Sequence, residues 1–300
     1  MIRLGVSYPQ SAIGGAPQTL HDFATAVEAD GFDHLALYDH VLGADRATWP
    51  DLTGPWRADD EFDDVFVLLG YLAAVTSTIE LTTQVLVLPQ RQTAVATRQA
   101  ATAAQLSHDR VRLGIGVGWN PVEYQALGTD FTNRGRRVDE QLEVMTRLLT
   151  GDVVTYSGRW HELDHVALNP VPARPLPLWF GGTVTQAFER VAKHGDGWIT
   201  LYDRPGEVVE RRLNRLRACV EGQGRDPATI GVDVWLSMGD TTPAAWRAEV
   251  EGWLKHGVTH LTLNTGFRSL HHHPIGSNEL DAHLDAVRTF RDTVADLLCD

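Results

Sequence analysis

The sequence predicts a (β/α)₈ barrel, and three observations carry that prediction. Its 300 residues match the usual length of one such barrel, about 250 residues or more. Hydrophobic residues make up 43% of the chain, enough for one large core. A helix–glycine–strand unit recurs in "ADGFDHLAL", "KHGDGWITL" and "KHGVTHLTL", as successive βα units require. An open doubly wound sheet is the alternative, but it more often has about five to seven strands. One domain over residues 1–300 is expected.

Eight strands are expected because eight short runs are mostly apolar, as strands buried on both faces of a parallel sheet are. The first strand leads into a helix with Pro17 near its start and with Leu20 and Phe23 on one face. The predicted strands are residues 3–8, 35–41, 79–88, 111–117, 177–182, 197–201, 230–236 and 260–265.

The other helices follow from the 3.6-residue spacing of their apolar side chains. The helix at about residues 135–150 places Val138, Leu142 and Met145 on one face. The alanine-rich helix at about residues 93–107 permits close packing on the barrel. Further helices are expected at about residues 64–76 and 278–298.

Two insertions interrupt the repeat. Residues 41–61 follow the second strand and carry Trp49 and Trp56, which either close over a substrate or pack on the rim of the barrel. Residues 151–175 precede the fifth strand; they contain a predicted hairpin, "VVTYSGRWHELD", and a proline-rich connector.

The charge and the cysteines restrict the class of protein. A formal net charge of −13 argues against nucleic acid or an anionic membrane as the main partner. Cys219 and Cys299 form no spacing typical of a metal site or a disulfide framework, which favours the cytoplasm. The first residues lack the apolar core of a signal peptide, and the longest apolar run, residues 65–75, is too short to span a bilayer.

Candidate catalytic residues lie where the predicted strands end, because active sites of these barrels form at the carboxyl ends of the strands. Asp39 and His40 follow the second strand directly. A metal site is not expected, since the first strand ends in "SYP" and not in His-x-His. The tract His271–His273 follows the last strand, with no carboxylate or cysteine at ligand spacing, and is interpreted as a solvated loop.

Glycines mark two further strand ends. In "GIGVGW", Gly114, Gly116 and Gly118 alternate, which either allows close packing inside the barrel or lets a flat ring approach the backbone. The run Gly181–Thr183 lies between a strand and a helix, where free N–H groups and the helix dipole favour a phosphate. The alternative there is a plain turn with Thr183 or Thr185 as the helix N-cap.

Several stretches, in this order along the chain, resemble the bacterial luciferase-like monooxygenase superfamily. The branch they resemble is that of the deazaflavin-dependent oxidoreductases, which use coenzyme F420. The resemblance covers roughly residues 1–200, and beyond that only the βα pattern continues. The stretches are "GFDHLALYDHV", "YLAAVTSTIELTTQVLVLPQRQTAVATRQAATAAQLS", "VRLGIGVGWNPVEYQALG", "RGRRVDEQLEVMTRLLTG" and "LNPVPARPLPLWFGG".

The resemblance implies a barrel with insertions, a cytoplasmic and often dimeric protein, and a cofactor ring across the mouth of the barrel. A His beside the reactive ring carbon corresponds to His40, with Asp39 before it. A non-proline cis peptide that backs the ring corresponds to the region of Gln84-Val85. The residues implied to bind the ring, the ribityl chain and the phosphate are Gly116, Val117, Gly118, Asn120, Gly181, Gly182 and Thr183.

The proton donor and the cofactor are less specified. Where some deazaflavin relatives have an acidic donor after the fourth strand, this chain has Trp119-Asn120-Pro121, with Glu123 further on. FMN is the alternative cofactor, and a non-catalytic flavin-binding protein is the alternative function. The deazaflavin carries an anionic tail, for which Arg204 and Arg268 are the candidate partners; both are otherwise ordinary surface charges. A small-molecule substrate and a homodimer are expected.

Overall fold

The computed structural model describes residues 2–52, 54, 56–200, 203–269 and 272–298. Its main sheet is a closed barrel of parallel strands, in which β3 and β4 together make one of the eight positions. The expected (β/α)₈ fold is therefore confirmed. The strands are β1 (Arg3–Ser7), β2 (His34–Leu37), β3 (Glu80–Thr83), β4 (Leu86–Val87), β5 (Val111–Gly116), β6 (Val154–Ser157), β7 (Glu162–Val166), β8 (Leu178–Gly181), β9 (Gly197–Thr200), β10 (Gly231–Ser237) and β11 (His260–Asn264).

Each position of the barrel is followed by a long outer helix. Two short helices, α1 and α5, were not expected from the sequence. No helix within the described ranges is both long and apolar enough to cross a lipid bilayer. The helices are α1 (Gln10–Ile13), α2 (Pro17–Ala29), α3 (Val65–Val75), α4 (Thr93–Leu106), α5 (Pro121–Ala126), α6 (Arg134–Leu148), α7 (Thr185–His194), α8 (Glu207–Gly222), α9 (Pro243–Leu254) and α10 (Leu280–Val294).

Two predicted strands differ from the observed ones where the site forms. The second ends at Leu37 and not at residue 41, so Asp39 and His40 lie in the loop beyond it. The third is interrupted between β3 and β4, and the peptide bond Gln84-Val85 there is cis, as the resemblance implies. Residue 201, the last of the predicted sixth strand, lies outside the described residues.

The two insertions are held in different ways. The predicted hairpin is confirmed: β6 and β7 pair antiparallel. His161 fixes the hairpin to the helices, since Nδ1 lies 2.8 Å from a carboxylate oxygen of Glu140 and Nε2 lies 2.5 Å from Oγ1 of Thr93. The other insertion has no helix or strand in its described part beyond one bridge between Ala44 and Arg57.

The inside of the barrel is polar. Arg112, which is 2% exposed, donates to Glu80 at 2.7 Å and to Asp233 at 3.2 Å. Asp233 also accepts hydrogen bonds from Thr262 at 2.7 Å and from Gln84 at 2.6 Å. Burial raises the pKa of Asp233, and the Arg112 guanidinium with these hydrogen bonds opposes that shift. The apolar core lies mainly outside this layer, between the strands and the outer helices.

Candidate active site

A cavity of about 80 Å³ lies at the carboxyl ends of the strands, where barrel enzymes place their active sites. A larger cavity, of about 530 Å³, lies near the amino end of β8 beside His194 and Asp196, on the face that does not carry the chemistry of such barrels. The smaller cavity is therefore the candidate site. Its lining residues are Tyr38, Asp39, His40, Trp56, Gln84, Val85, Val87, Gly118, Trp119, Trp235 and Phe267.

His40 is paired with a buried carboxylate from another loop. Its Nδ1 lies 3.4 Å from a carboxylate oxygen of Glu123 on α5. This is within ion-pair range but lacks the alignment of a hydrogen bond, so Nδ1 has no hydrogen-bond partner among the described residues. The ring packs at 5.0 Å from Trp56 and at 5.4 Å from Phe62. Because Nδ1 faces Glu123, Nε2 is the nitrogen that can serve a substrate.

Glu123 is held ionised by its surroundings. Burial raises the pKa of this carboxyl group, but His40, the Val41 N–H and the Gln90 amide outweigh burial, and the net pKa is lowered. The Val41 N–H donates at 2.5 Å and the Gln90 amide at 3.0 Å. Asn120 starts the helix of Glu123 by accepting from the Val122 N–H at 3.0 Å. A carboxylate with these partners orients His40 and does not act as an acid at neutral pH.

Asp39 lines the cavity, but its carboxylate is already engaged. Arg91 donates to both oxygens, at 2.7 and 3.3 Å, and the Val87 N–H donates at 3.0 Å. These bonds tie the end of β2 to β4. The catalytic role expected for Asp39 stays a prediction, and its observed contacts are those of a residue that positions its neighbour His40.

The alternating glycines are explained by close packing. A Cβ on Gly116 would lie 2.3 Å from Cγ2 of Val85, and one on Gly118 would lie 2.7 Å from Cγ1 of Val87. A Cβ added to Gly114 would lie 2.0 Å from a backbone oxygen in β3. These positions therefore exclude a side chain whether or not a ring binds. The side chain of Val85 reaches toward both Gly116 and Gly181, where an added Cβ would lie 3.0 Å from Val85.

Two of the other expected cofactor residues make contacts within the protein. The carbonyl of Val117 accepts a hydrogen bond from the Tyr124 hydroxyl at 2.7 Å. Asn120 uses its oxygen to cap α5, while its buried Nδ2 has no hydrogen-bond partner among the described residues. In this loop, Nδ2 of Asn120 therefore donates no hydrogen bond within the described protein and is available to a ligand.

The turn Gly181–Thr183 leads into a helix without a side-chain cap. The N-cap of α7 is Val184, so the alternative in which Thr183 or Thr185 caps the helix is wrong. The uncapped first-turn N–H groups favour an anion. Gly182 has φ +115°, a conformation that L side chains rarely adopt. Arg215 on α8 donates to the Thr185 hydroxyl at 3.1 Å and adds a positive charge that the sequence pattern did not reveal.

The expected basic residues are only partly near the cavity. Arg204 donates to Glu249 on α9 at 2.6 Å and does not line the cavity. Arg268 is exposed and follows Phe267, which does. The two residues stay predicted partners of an anionic tail.

The histidine tract is not a solvated loop at His272. Its side chain is 3% exposed and its ring lies 6.0 Å from that of Trp235, so the solvated-loop interpretation is wrong there. His271 lies outside the described residues. Within the described ranges, no group of three or more His, Cys, Asp or Glu side chains is arranged to hold a metal ion.

The two tryptophans of the first insertion differ in position. Trp49 is 42% exposed, whereas Trp56 is 4% exposed and lines the cavity. Arg46 holds the loop in place by donating to the backbone oxygens of Gly54 and Trp56. Trp56 belongs to a buried group of rings, here called the aromatic cluster: Tyr38, Trp56, Trp235 and Phe267.

Comparison with known proteins gives relatives of this chain and solved structures with the same fold. An uncharacterised protein of Mycobacterium tuberculosis is 31% identical over 76% of this chain and 80% of its own length. An F420-dependent glucose-6-phosphate dehydrogenase of Kineococcus radiotolerans is 28% identical over 91% of this chain and 77% of its own length.

Two solved structures align over nearly all of both chains. An F420-dependent secondary alcohol dehydrogenase bound to an F420-acetone adduct aligns with a TM-score of 0.78 at 17% identity, over 98% of this chain and 99% of that one. The monooxygenase RslO1 from Streptomyces bottropensis aligns with a TM-score of 0.80 at 16% identity, over 99% of each chain. The family model for luciferase-like monooxygenases matches residues 2–291. The chain therefore belongs to the luciferase-like monooxygenase family.

Proposed function

We propose that the protein is an F420-dependent oxidoreductase that moves a hydride between the deazaflavin and a small organic substrate. The observation that carries the proposal is the His40–Glu123 pair, which lies on an apolar cavity beside the cis peptide Gln84-Val85 at the carboxyl end of the barrel. The relative and the solved structure named for F420 support this choice of cofactor.

The residues present fit this cofactor. The uncapped start of α7 beside Gly181–Thr183 suits the phosphate, and the unused amide of Asn120 suits a polar group of the cofactor. Val85 and Gly118 give one wall of the cavity to the ring. The cavity, about 80 Å³, is smaller than the roughly 300–1,000 Å³ typical of ligand pockets. The proposal therefore requires the cavity to widen on binding.

The bound deazaflavin would supply the hydride chemistry, and the chain would supply the proton and the orientation. His40 Nε2 takes the hydroxyl proton when an alcohol is oxidised and returns it when a carbonyl is reduced. Glu123 stays ionised and orients the ring of His40 through its Nδ1 side. The Asp39–Arg91 pair fixes the loop that carries His40.

The decisive experiment is a titration of the purified chain with F420 and with FMN at two salt concentrations. We expect tight, salt-sensitive binding of F420, because its anionic tail needs basic partners such as Arg204 and Arg268. Turnover is then assayed with secondary alcohols and with glucose 6-phosphate, the substrate named for the Kineococcus relative. A carrier protein would bind the cofactor without turnover.

An FMN-dependent monooxygenase is the second candidate. The RslO1 neighbour is named as a monooxygenase, which favours oxygen chemistry. The ring, ribityl and phosphate positions suit both cofactors. A yellow protein that purifies with FMN and consumes oxygen during turnover would establish this candidate and overturn the first.

The proposal includes a single-domain homodimer in the cytoplasm. Val67 on α3 is 70% exposed and Val95 on α4 is 50% exposed, and these two helices pack side by side. Exposed valines on adjacent helices suit a contact with a second copy of the chain. Light scattering should give the mass of a dimer, and Val67→Glu should shift it toward the monomer; an unchanged dimer in that variant would place the interface elsewhere.

A further inference from the structure

We propose that the substrate of this site is an uncharged, largely apolar molecule that carries a single carbonyl or hydroxyl oxygen on the reacting carbon and a flat ring beside it. This inference rests on the proposed function, because it assigns a substrate class to the same cavity.

The first argument is the apolar wall. In the aromatic cluster, the ring of Trp56 lies 5.2 Å from Tyr38 and 5.1 Å from Phe267, and Trp235 lies 5.9 Å from Phe267. Every member of the cluster is at least 95% buried. Trp119 adds a further ring at the cavity. Edge-to-face and stacked aromatic packing of this kind favours another flat apolar group as a neighbour.

The second argument is the absence of a cation for an anionic substrate. No described residue of the cavity lining is a lysine or an arginine, and none of the positions outside the described ranges is either. Arg91 is engaged by Asp39, and Arg46 by backbone oxygens of the loop that carries Trp56. A phosphate group would be desolvated here without a compensating side-chain charge, which is strongly unfavourable.

The third argument concerns a cationic substrate. Cations bind to the faces of aromatic rings. Trp56 and Tyr38 are stacked on each other with an angle of 27° between their planes, so they already cover one face of each other. The carboxylates of Asp39 and Glu123 are paired with Arg91 and His40 and are not free to attract a second cation. A neutral substrate is therefore the one that the cavity favours.

The polar lining fixes the reacting end of the substrate. Asp39 is engaged by Arg91, and the Gln84 amide is held between Asp233 and the indole N–H of Trp235. This leaves His40 Nε2 and the hydroxyl of Tyr38, which is buried with no hydrogen-bond partner among the described residues, as the polar groups of the lining for one substrate oxygen. In the oxidation of a secondary alcohol, His40 would accept the O–H proton while a bound oxidised deazaflavin would accept the C–H hydride, leaving the ketone. The reduction of the ketone reverses both transfers.

The test is a set of binding titrations with four probes, performed on the chain with and without F420. The probes are acetophenone, acetone, glucose 6-phosphate and benzyltrimethylammonium. We expect acetophenone to bind at least about tenfold more tightly than acetone, because its ring buries more apolar surface. The two charged probes should not bind at the highest acetophenone concentration used.

Variants of the two tryptophans in the insertion show where acetophenone binds. Trp56→Ala should weaken acetophenone binding at least about tenfold through the lost ring contact, and Trp56→Phe should restore most of it. Trp49→Ala is the matched control, because it removes an exposed tryptophan from the same insertion, and it should change nothing. Thermal melting of each variant reports whether it is folded.

The outcomes separate this inference from the proposed function. In a chain that binds F420, two results would overturn the substrate class and leave the cofactor proposal standing. One is binding of either charged probe more tightly than acetophenone. The other is acetophenone binding that Trp56→Ala leaves unchanged. If the chain fails to bind F420 but binds acetophenone in a way that depends on Trp56, the cofactor proposal is overturned and the substrate class stands. No binding of acetophenone in either state would also overturn the substrate class.

Discussion

The crowding around Gly116 predicts a specific coupling with Val85. In Gly116→Ala, the new methyl group would lie 2.3 Å from Cγ2 of Val85, whereas carbon atoms in contact prefer about 3.5–4.0 Å. The side chain of Val85 must therefore move by more than an ångström or the strands must separate. Overpacking of this kind typically costs about 1–3 kcal/mol of unfolding free energy. Because Val85 lines the cavity, its displacement should also weaken cofactor binding.

Urea unfolding of a double-mutant cycle measures this coupling. Val85→Ala removes the clashing atom, so the double variant Val85→Ala/Gly116→Ala should be more stable than the sum of the single changes by at least about 1 kcal/mol. The matched control is Gly222→Ala at the end of α8, where no atom beyond the neighbouring residues and the backbone of the helix lies within 4 Å of the added Cβ; it should stabilise by up to about 1 kcal/mol. Additive effects of Val85→Ala and Gly116→Ala would refute the packing explanation of the glycines.

Four further changes test the site. His40→Gln should lower turnover about a hundredfold or more with little change in the melting temperature; an unchanged rate would remove His40 from catalysis. The pKa of Glu123 in the folded protein lies below its usual 4.5. Its stabilising effect is therefore present above pH 4.5 and is lost as the pH falls through the lower folded value. Glu123→Gln should flatten the acid side of a stability-versus-pH curve, and a slope identical to that of the unchanged protein would contradict this. Gly182→Val, at φ +115°, should weaken F420 binding in a fluorescence titration, and equal affinity in a folded variant would place the phosphate elsewhere. Asp233→Leu should lower the free energy of unfolding in urea by about 3–5 kcal/mol, because it leaves the Arg112 charge buried without this partner; a loss below about 1 kcal/mol would mean that Glu80 alone compensates Arg112.

The barrel was predictable because its signals are local. A glycine after α2 and an apolar run at β2 are adjacent in sequence, and the same unit recurs before β9 and β11. The ends of the strands then place His40 and Gly181 on one face of the barrel without further information. The cis peptide at Gln84-Val85 was placed by resemblance and not by residue chemistry, since neither residue type favours it.

The pairing of His40 with Glu123 was not predictable in the same way. The two residues are separated by 83 positions, and the contact exists because α5 turns Glu123 back toward the loop after β2. Asn120, a cap residue, followed by Pro121 at the first position of α5, was the available local signal for that helix. This signal predicts the helix but not the direction in which the carboxylate of Glu123 points.

The insertion after β2 shows a second limit on what the sequence predicts. Trp49 and Trp56 have the same residue type and lie seven positions apart, yet one is exposed and the other lines the cavity. No periodicity separates them, because the described part of the segment is irregular. Its conformation is held by tertiary contacts, such as those from Arg46 to two backbone oxygens.

The two sides of the cavity are built differently, and this suggests where specificity arises. On the barrel side, Asp233 accepts from the Gln84 amide nitrogen, and the Gln84 amide oxygen accepts from the indole N–H of Trp235. A carboxylate only accepts and an indole N–H only donates, so the orientation of the amide and the position of Trp235 are both determined. On the other side, Trp56 is held by its loop through backbone contacts of Arg46. Within the substrate wall of our proposal, Trp56 is therefore the member that a new sequence in residues 41–61 can replace without breaking the Gln84–Trp235 contact on the barrel side.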